Sequence, residues 1–220
     1  MGDALYSKDI ECPLCSKEFS TPRVISYKLK LEDRDSDFCP YYKEEQSFYY
    51  EPTICPKCGY GNIADYFEEV TDEQKVKVIK KITKSWSGKD FSGHRDTSDA
   101  IKCYRHLTKN ARAMELKASR RGTIFLRLAW CYRHRGSNKE KRTLRKALNH
   151  YKTAYQEEKL EGVNIDEITL TYLLGELHRR TGNRSKAVKY YSKVVEHPEI
   201  DSKPEVEKRA RDQWQMSTKD

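Results

Sequence analysis

The sequence predicts an α+β fold, with a small β-rich head over residues 1–70 and an all-α helical body over residues 71–220. Three observations carry this. Two C-P-x-C pairs, Cys12-Pro13-Leu14-Cys15 and Cys55-Pro56-Lys57-Cys58, lie in the first part of the chain. Apolar residues change from strand-like alternation to a helical period at Thr71. The charge balance reverses at the same place: residues 1–70 hold eight Lys/Arg against fourteen Asp/Glu, whereas residues 71–220 hold 35 against 20.

The composition excludes some classes at once. With 35% charged residues and a mean hydropathy of −0.95, no apolar run approaches the roughly 20 residues that a membrane span needs. The N-terminal stretch carries acids and lacks the apolar segment of a secretory signal, so a cytoplasmic setting is expected. In a reducing compartment the seven cysteines are better metal ligands or buried thiols than disulfides.

Two residues between cysteines allow a tight turn to aim both sulfurs at one ion, and two such turns complete a tetrahedral four-sulfur shell. Cys12, Cys15, Cys55 and Cys58 are therefore the expected ligands of a Zn2+ ion. Iron also suits a thiolate shell, and buried or redox-active thiols are the alternative use of such pairs. Between the pairs, Arg23–Leu31 alternates and Ser47–Glu51 precedes the second pair, so both read as strands of a zinc-ribbon-like head with an enlarged hairpin. So small a head has too few aliphatic residues for a core, and the metal would supply folding free energy. Cys39 reads as a half-buried small hydrophobe beside Phe38, or alternatively as a fifth thiol that replaces a ligand or makes an open, reactive position. Asp33, Asp35 and Asp37 lack the glycine and distal glutamate of a calcium loop and read as solvated turn residues. The aromatics Tyr41, Tyr42, Phe48, Tyr49 and Tyr50 are expected to pack around the poor core, with a binding face on the ribbon as the alternative.

The body opens on a capping-box pattern, Thr71-Asp72-Glu73-Gln74, followed by Val76, Ile79, Ile82 and Trp86 at helical spacing, which predicts a helix from about 72 to 85. Residues 85–94 are small and polar and predict a loop. Helices resume near Ser98. Two later stretches are self-similar. Leu174 and Gly175 are followed by Gly182, Ala187, Tyr191 and Val194; Leu128 and Ala129 are followed by Gly136, Ala147, Tyr151 and Ala154. This ordering is tetratricopeptide-like: small residues let two helices approach, and tyrosines fill the space beside them. Gly136 and Gly182 fall where a positive φ is wanted. The longer separation of Ala129 from Ala147 places extra residues around Ser137–Arg142. Ala100, Tyr104 and Leu107 form a weaker partial copy, and Val206, Ala210 and Trp214 read as a closing terminal helix.

No metalloprotease helix, P-loop or nucleophile-elbow pattern occurs, so a non-enzymatic protein is expected. Cys103 and Cys131 read as buried thiols, and His134 and His178 as capping or surface residues. Residues 100–152 carry sixteen Lys/Arg against two acids, Glu115 and Glu140. Such a tract suits an acidic protein partner, the acidic head of the same chain, a nucleic acid, or plain solvation. Exposed Phe125, Trp130, Tyr132 and Tyr151 would favour single strands, but their repeat positions predict burial.

Together Cys12–Phe19, Arg34–Cys39, Cys55–Tyr60, Leu128–Arg133 and Tyr172–Asn183 resemble an uncharacterised bacterial family, a domain of unknown function. The resemblance spans nearly the whole chain. It implies a cysteine-rich head joined to a tetratricopeptide-like body in a bacterial cytoplasm, and supplies no activity. It also implies a part for Cys39, within Asp-Ser-Asp-Phe-Cys, as ligand or core residue. The expected function is a zinc-binding adaptor whose helical-repeat groove takes a protein or peptide. The alternatives are a nucleic-acid binder using residues 100–152 and a thiol redox sensor or enzyme at Cys39.

Overall fold

A computed structural model describes residues 3–160 and 165–218. The chain forms two compact units that interleave in sequence. One takes the chain up to Arg34, Pro40–Leu116 and Trp130–Ser137; the other takes Asp35–Cys39, Lys117–Ala129 and the chain from Asn138. The change of composition at Thr71 is thus not where the units divide. Small antiparallel strand pairs come first and seven helices follow among the described residues, an α+β fold.

In the first unit, β1 (Leu5–Glu11) pairs with β2 (Glu18–Val24), β3 (Leu31–Arg34) with β4 (Pro40–Tyr42), and β5 (Pro52–Ile54) with β6 (Gly61–Ile63). Each is a separate antiparallel pair. The alternation over Arg23–Leu31 is interrupted, because Ser26–Lys28 form a 3-10 turn between β2 and β3. Ser47–Tyr50 is likewise a 3-10 turn rather than a strand. Its consecutive aromatics could not all face one core from a strand, where neighbours alternate sides. Coiled into a tight turn, Phe48, Tyr49 and Tyr50 are all buried. Two-stranded ribbons are marginal by themselves, and these rings supply the missing core, together with Tyr60 and Phe67, whose centroids lie 5.0 Å apart. Tyr41 stacks on His134 at 4.6 Å, so that histidine packs among rings instead of capping a surface. The buried Arg95 staples the turn in place by donating to the carbonyls of Tyr49 and Pro52 at 3.0 and 2.8 Å.

α1 (Asp72–Lys81) starts on the expected capping box: Gln74 N donates to the Thr71 hydroxyl and Thr71 N to the Gln74 side chain. It stops earlier than the spacing predicts, and Thr83–Ser85 is a 3-10 turn. Val78 and Ile82 are buried while Val76 and Ile79 are exposed, so the buried stripe is shifted from the expected one. α2 (Thr97–Ala113) buries Ala100, Tyr104 and Leu107.

α3 (Ala118–His134), α4 (Lys139–Glu157), α5 (Glu167–Thr181), α6 (Arg184–Val195) and α7 (Pro204–Thr218) complete the chain. Gly136 and Gly182 adopt φ of 64° and 98°, as the sequence requires. Both turns close with the same two bonds. Ser137 N donates to Tyr132 O and Gly136 N to Arg133 O; Asn183 N donates to His178 O and Gly182 N to Arg179 O. In α5 the small residue is Gly175, where an added Cβ would lie 2.7 Å from the Tyr191 ring. In α3 the equivalent close approach is at Gly122, about two helical turns before Ala129, with an added Cβ 2.5 Å from Tyr151. The extra length of this pair therefore lies in the helices themselves, not around Ser137–Arg142 alone. Trp130 and Tyr151 are buried as expected, whereas Phe125 and Tyr132 are half-buried. Val206 and Ala210 of α7 are buried in a cluster with Tyr172 and Tyr191, and Trp214 packs against it.

The acidic loop departs most from expectation. Asp35–Cys39 belongs to the helical unit, where Asp37 is 0% exposed instead of solvated. Arg180 pairs with Asp35 at 3.1 Å and Asp37 at 3.5 Å. Ser36 donates to the buried Glu176 at 2.6 Å and accepts from Arg179 and Arg180, while Tyr172 donates to its carbonyl at 2.7 Å. Phe38, with a left-handed φ of 67°, turns onto the Tyr172 ring. Burial by itself would raise the Glu176 carboxyl, but Arg179, Ser36 and Tyr191 together hold it below the ordinary carboxylate range.

Gly122→Ala and Gly175→Ala test the helix contacts. Alanine gains about 1 kcal/mol in helix propensity, and overpacking costs about 1–3 kcal/mol. We expect each variant to melt lower, by several degrees, in thermal circular dichroism; a rise would mean that Tyr151 or Tyr191 moves aside freely. Glu176→Ala strands two arginines beside a buried site, and we expect a loss of about 3–5 kcal/mol in urea unfolding. Because its folded pKa is depressed, the wild-type contribution is present above the unfolded value of about 4.3 and is lost as pH falls through the folded value. The variant should show less of that acid sensitivity.

Candidate metal centre

The two C-P-x-C pairs are the turns of two β-hairpins, one between β1 and β2 and the other between β5 and β6. Their backbone bonding is the same. Ser16 N donates to Cys12 O at 2.9 Å and Cys12 N to Lys17 O at 3.0 Å; Gly59 N donates to Cys55 O at 3.0 Å and Cys55 N to Tyr60 O at 2.8 Å. The residue after each second cysteine is left-handed, Ser16 at φ 52° and Gly59 at 73°. Only the second is glycine. A Cβ at Gly59 would also lie 2.7 Å from the Trp86 indole, so this position has no room for a side chain.

These knuckles bring all four sulfurs together, with every ligand atom within 4.8 Å of the others. Cys12 and Cys58 sulfurs are 3.6 Å apart and those of Cys15 and Cys55 are 3.7 Å apart. A tetrahedron with metal–sulfur bonds of about 2.3 Å has edges of about 3.8 Å. A disulfide needs about 2.05 Å. The donor set and its spacing therefore fit a tetrahedral thiolate-bound ion. Cys12, Cys55 and Cys58 are buried and Cys15 is half-buried. Among the thiols, contact with Cys12 and Cys58 holds Cys55 below the ordinary range. Contact with Cys55 pushes Cys12 up, and contact with Cys12 pushes Cys58 up, with burial adding to both. Four negative sulfurs at this spacing need a cation, and its uptake displaces protons.

The second knuckle is buttressed by α2 and by the turn after α1. Asn110 brackets it, donating to Gly59 O at 3.1 Å and accepting from Gly61 N at 3.1 Å. His106 Nε2 donates to the same Gly59 carbonyl at 2.6 Å, Thr83 donates to Cys58 O at 2.9 Å, and the Trp86 indole donates to Pro56 O at 2.8 Å. None of these four was singled out as part of the site from the sequence, because their partners are backbone carbonyls that leave no spacing pattern. The one legible trace was the Gly59-Tyr60 sequel to Cys58.

The model of a family described as an uncharacterized protein conserved in bacteria (DUF2225) matches residues 5–217. The chain belongs to this family. No curated protein and no solved structure matches it. Cys39 lies outside the sulfur quartet and is 0% exposed, packed in the helical unit. That burial denies an oxidant the access that a sensor thiol requires. Cys103 and Cys131 are buried too, and burial raises Cys103 to about 11. No described helix is long and apolar enough to cross a membrane.

Cys58→Ser should lower bound metal, measured by mass spectrometry of gently purified protein, from one ion per chain to well below one. Because the second knuckle is bonded to α2, we expect helical circular dichroism to fall along with the strand signal. An unchanged helical signal would mean that α2 stands without the knuckle.

Proposed function

We propose that this chain is a non-enzymatic, cytoplasmic adaptor in which Cys12, Cys15, Cys55 and Cys58 hold a structural Zn2+ and the helical hairpins bind a protein or peptide. The observation that carries the metal part is the spacing of the sulfurs. Four thiolates fill a tetrahedral shell and leave no position for water or substrate, the mark of a structural rather than a catalytic site. Thiolates and small size favour zinc, which has no redox chemistry to lose in a reducing compartment. The binding part is supported by the α5–α6 hairpin, with its close contact at Gly175, its left-handed turn at Gly182 and its closing helix α7. That arrangement resembles the tetratricopeptide repeat, whose stacked hairpins form a groove.

Two measurements test this reading. Elemental analysis should return zinc; iron, with its visible absorbance, would overturn the metal assignment. Photocrosslinkers placed at exposed positions of α6 and α7 in cells should trap one or a few proteins that rebind purified chain with micromolar affinity. Enzymatic turnover in a substrate screen, with no partner that rebinds, would overturn the adaptor.

A further inference from the structure

In the first unit a cavity of about 690 Å³ lies between the segment Lys81–Phe91 and one face of α2. Lys81, Lys89, Lys102, Arg105, Lys109 and Arg112 line it, and no acidic residue does. Four of these six repeat along α2 at helical spacing, so one face of that helix presents a row of charge to the cavity. Lys102 has a carboxylate partner, Asp99 at 2.8 Å. The other five have no ion pair among the described residues. Like charges gathered in a concavity repel one another, and the arrangement is relieved when an anion enters.

Aromatic groups share the lining. Trp86, Phe91 and His106 face the cavity beside the cations. The Trp86 and His106 rings are held, and so is the backbone that carries the Phe91 ring. Trp86 is fixed by its indole bond to Pro56 O and lies against the Gly59 backbone, with the His106 ring 4.4 Å away. The Phe91 carbonyl accepts two bonds from the buried Arg95 guanidinium, at 3.2 and 3.0 Å. A volume in the range of about 300–1,000 Å³ is that of sites for organic ligands and exceeds the needs of a lone phosphate. Planar apolar walls beside a row of guanidinium and ammonium groups match a ligand that carries both a flat ring and several negative charges.

We propose that this cavity is a binding site for a nucleoside di- or triphosphate. The α2 row, centred on Arg105 and Lys109, takes the phosphates, and Trp86 and Phe91 take the base. This inference stands apart from the adaptor reading, since it concerns a different surface and a small ligand, and it holds or fails whether or not a protein partner exists.

Isothermal titration of the full metal-loaded chain with ATP at low salt tests it. ATP should bind one-to-one, with tripolyphosphate at least about tenfold weaker for want of a ring and adenosine weaker still for want of charge. Arg105→Ala combined with Lys109→Ala should weaken ATP at least about tenfold, while Lys189→Ala with Lys208→Ala, which removes the same charge from exposed positions off the cavity, should leave it unchanged. Phe91→Ala should weaken ATP but not tripolyphosphate. Circular dichroism and bound metal confirm that each variant is folded. No heat of binding with millimolar ATP, equal weakening by the two double variants, or tripolyphosphate as tight as ATP would each overturn the proposal. So would a ten-nucleotide RNA that binds over tenfold tighter than ATP, since the ligand would then be a strand.

Discussion

The first unit depends on four sulfur atoms being brought to one point by two hairpins that share no strand. β1–β2 and β5–β6 share no strand, and neither ribbon has enough pairing to persist alone. Sulfurs 3.6–3.7 Å apart are the place where they meet. A thiolate-bound ion supplies apparent binding free energies on the order of 10–16 kcal/mol in small zinc modules, comparable with the whole stability of an ordinary domain. Arg23, donating from β2 to Tyr50 O and to Thr53 in β5, is a second link between the ribbons, each such bond from a charged group being worth about 1.5–3 kcal/mol.

The second unit is organised by a different device, a buried charge network about Glu176. Burying a carboxylate is costly unless its partners are close and its lone pairs are filled. Here Arg179 contributes two bonds, Ser36 one and Tyr191 one, and Arg180 joins Glu176 to Asp35 and Asp37. Five residues from the loop between β3 and β4 thereby pack with α5, which begins more than 100 residues later. The interleaving has a consequence for stability. Neither unit can be cut from the chain as a continuous segment without breaking the other's contacts, so deletion at the compositional boundary near Thr71 would remove the loop that satisfies Glu176.

What was legible in the sequence was whatever repeats locally. Cys-Pro-x-Cys spacing located all four sulfurs, because a two-residue gap is set by the turn itself. Thr71 and Gln74, Gly136 and Gly182 were legible because caps are made within a few residues of backbone. Illegible were features whose partner is far away and whose residue type is ordinary. Asp35 and Asp37 look like any acidic turn until Arg180 is beside them. Aligned to the shorter α5–α6 pair, the nearest small residue is Ala129, whereas the tyrosine across the interface selects Gly122. The run Ser47–Glu51 reads as a strand because aromatic residues favour strands on average, yet three adjacent rings that must all be buried favour a tight turn.

The second knuckle carries more than its share of the first unit, and this links features that seem separate in sequence. Its Gly59 carbonyl accepts from both His106 and Asn110, on neighbouring turns of α2. Its Pro56 carbonyl accepts from Trp86, which stands on the wall of the cationic cavity. Asn110 makes bonds of the right geometry on both sides of its amide, and each buried polar group left unpaired would cost about 1–3 kcal/mol. The knuckle therefore cannot shift by an ångström while α2 stays still. The row of cations on α2 and the ring of Trp86 are held in register by the same few carbonyl groups that aim Cys55 and Cys58 inward. Geometry at the sulfurs and geometry in the cavity are thus one constraint, transmitted through three side chains and a glycine that has no room for a Cβ.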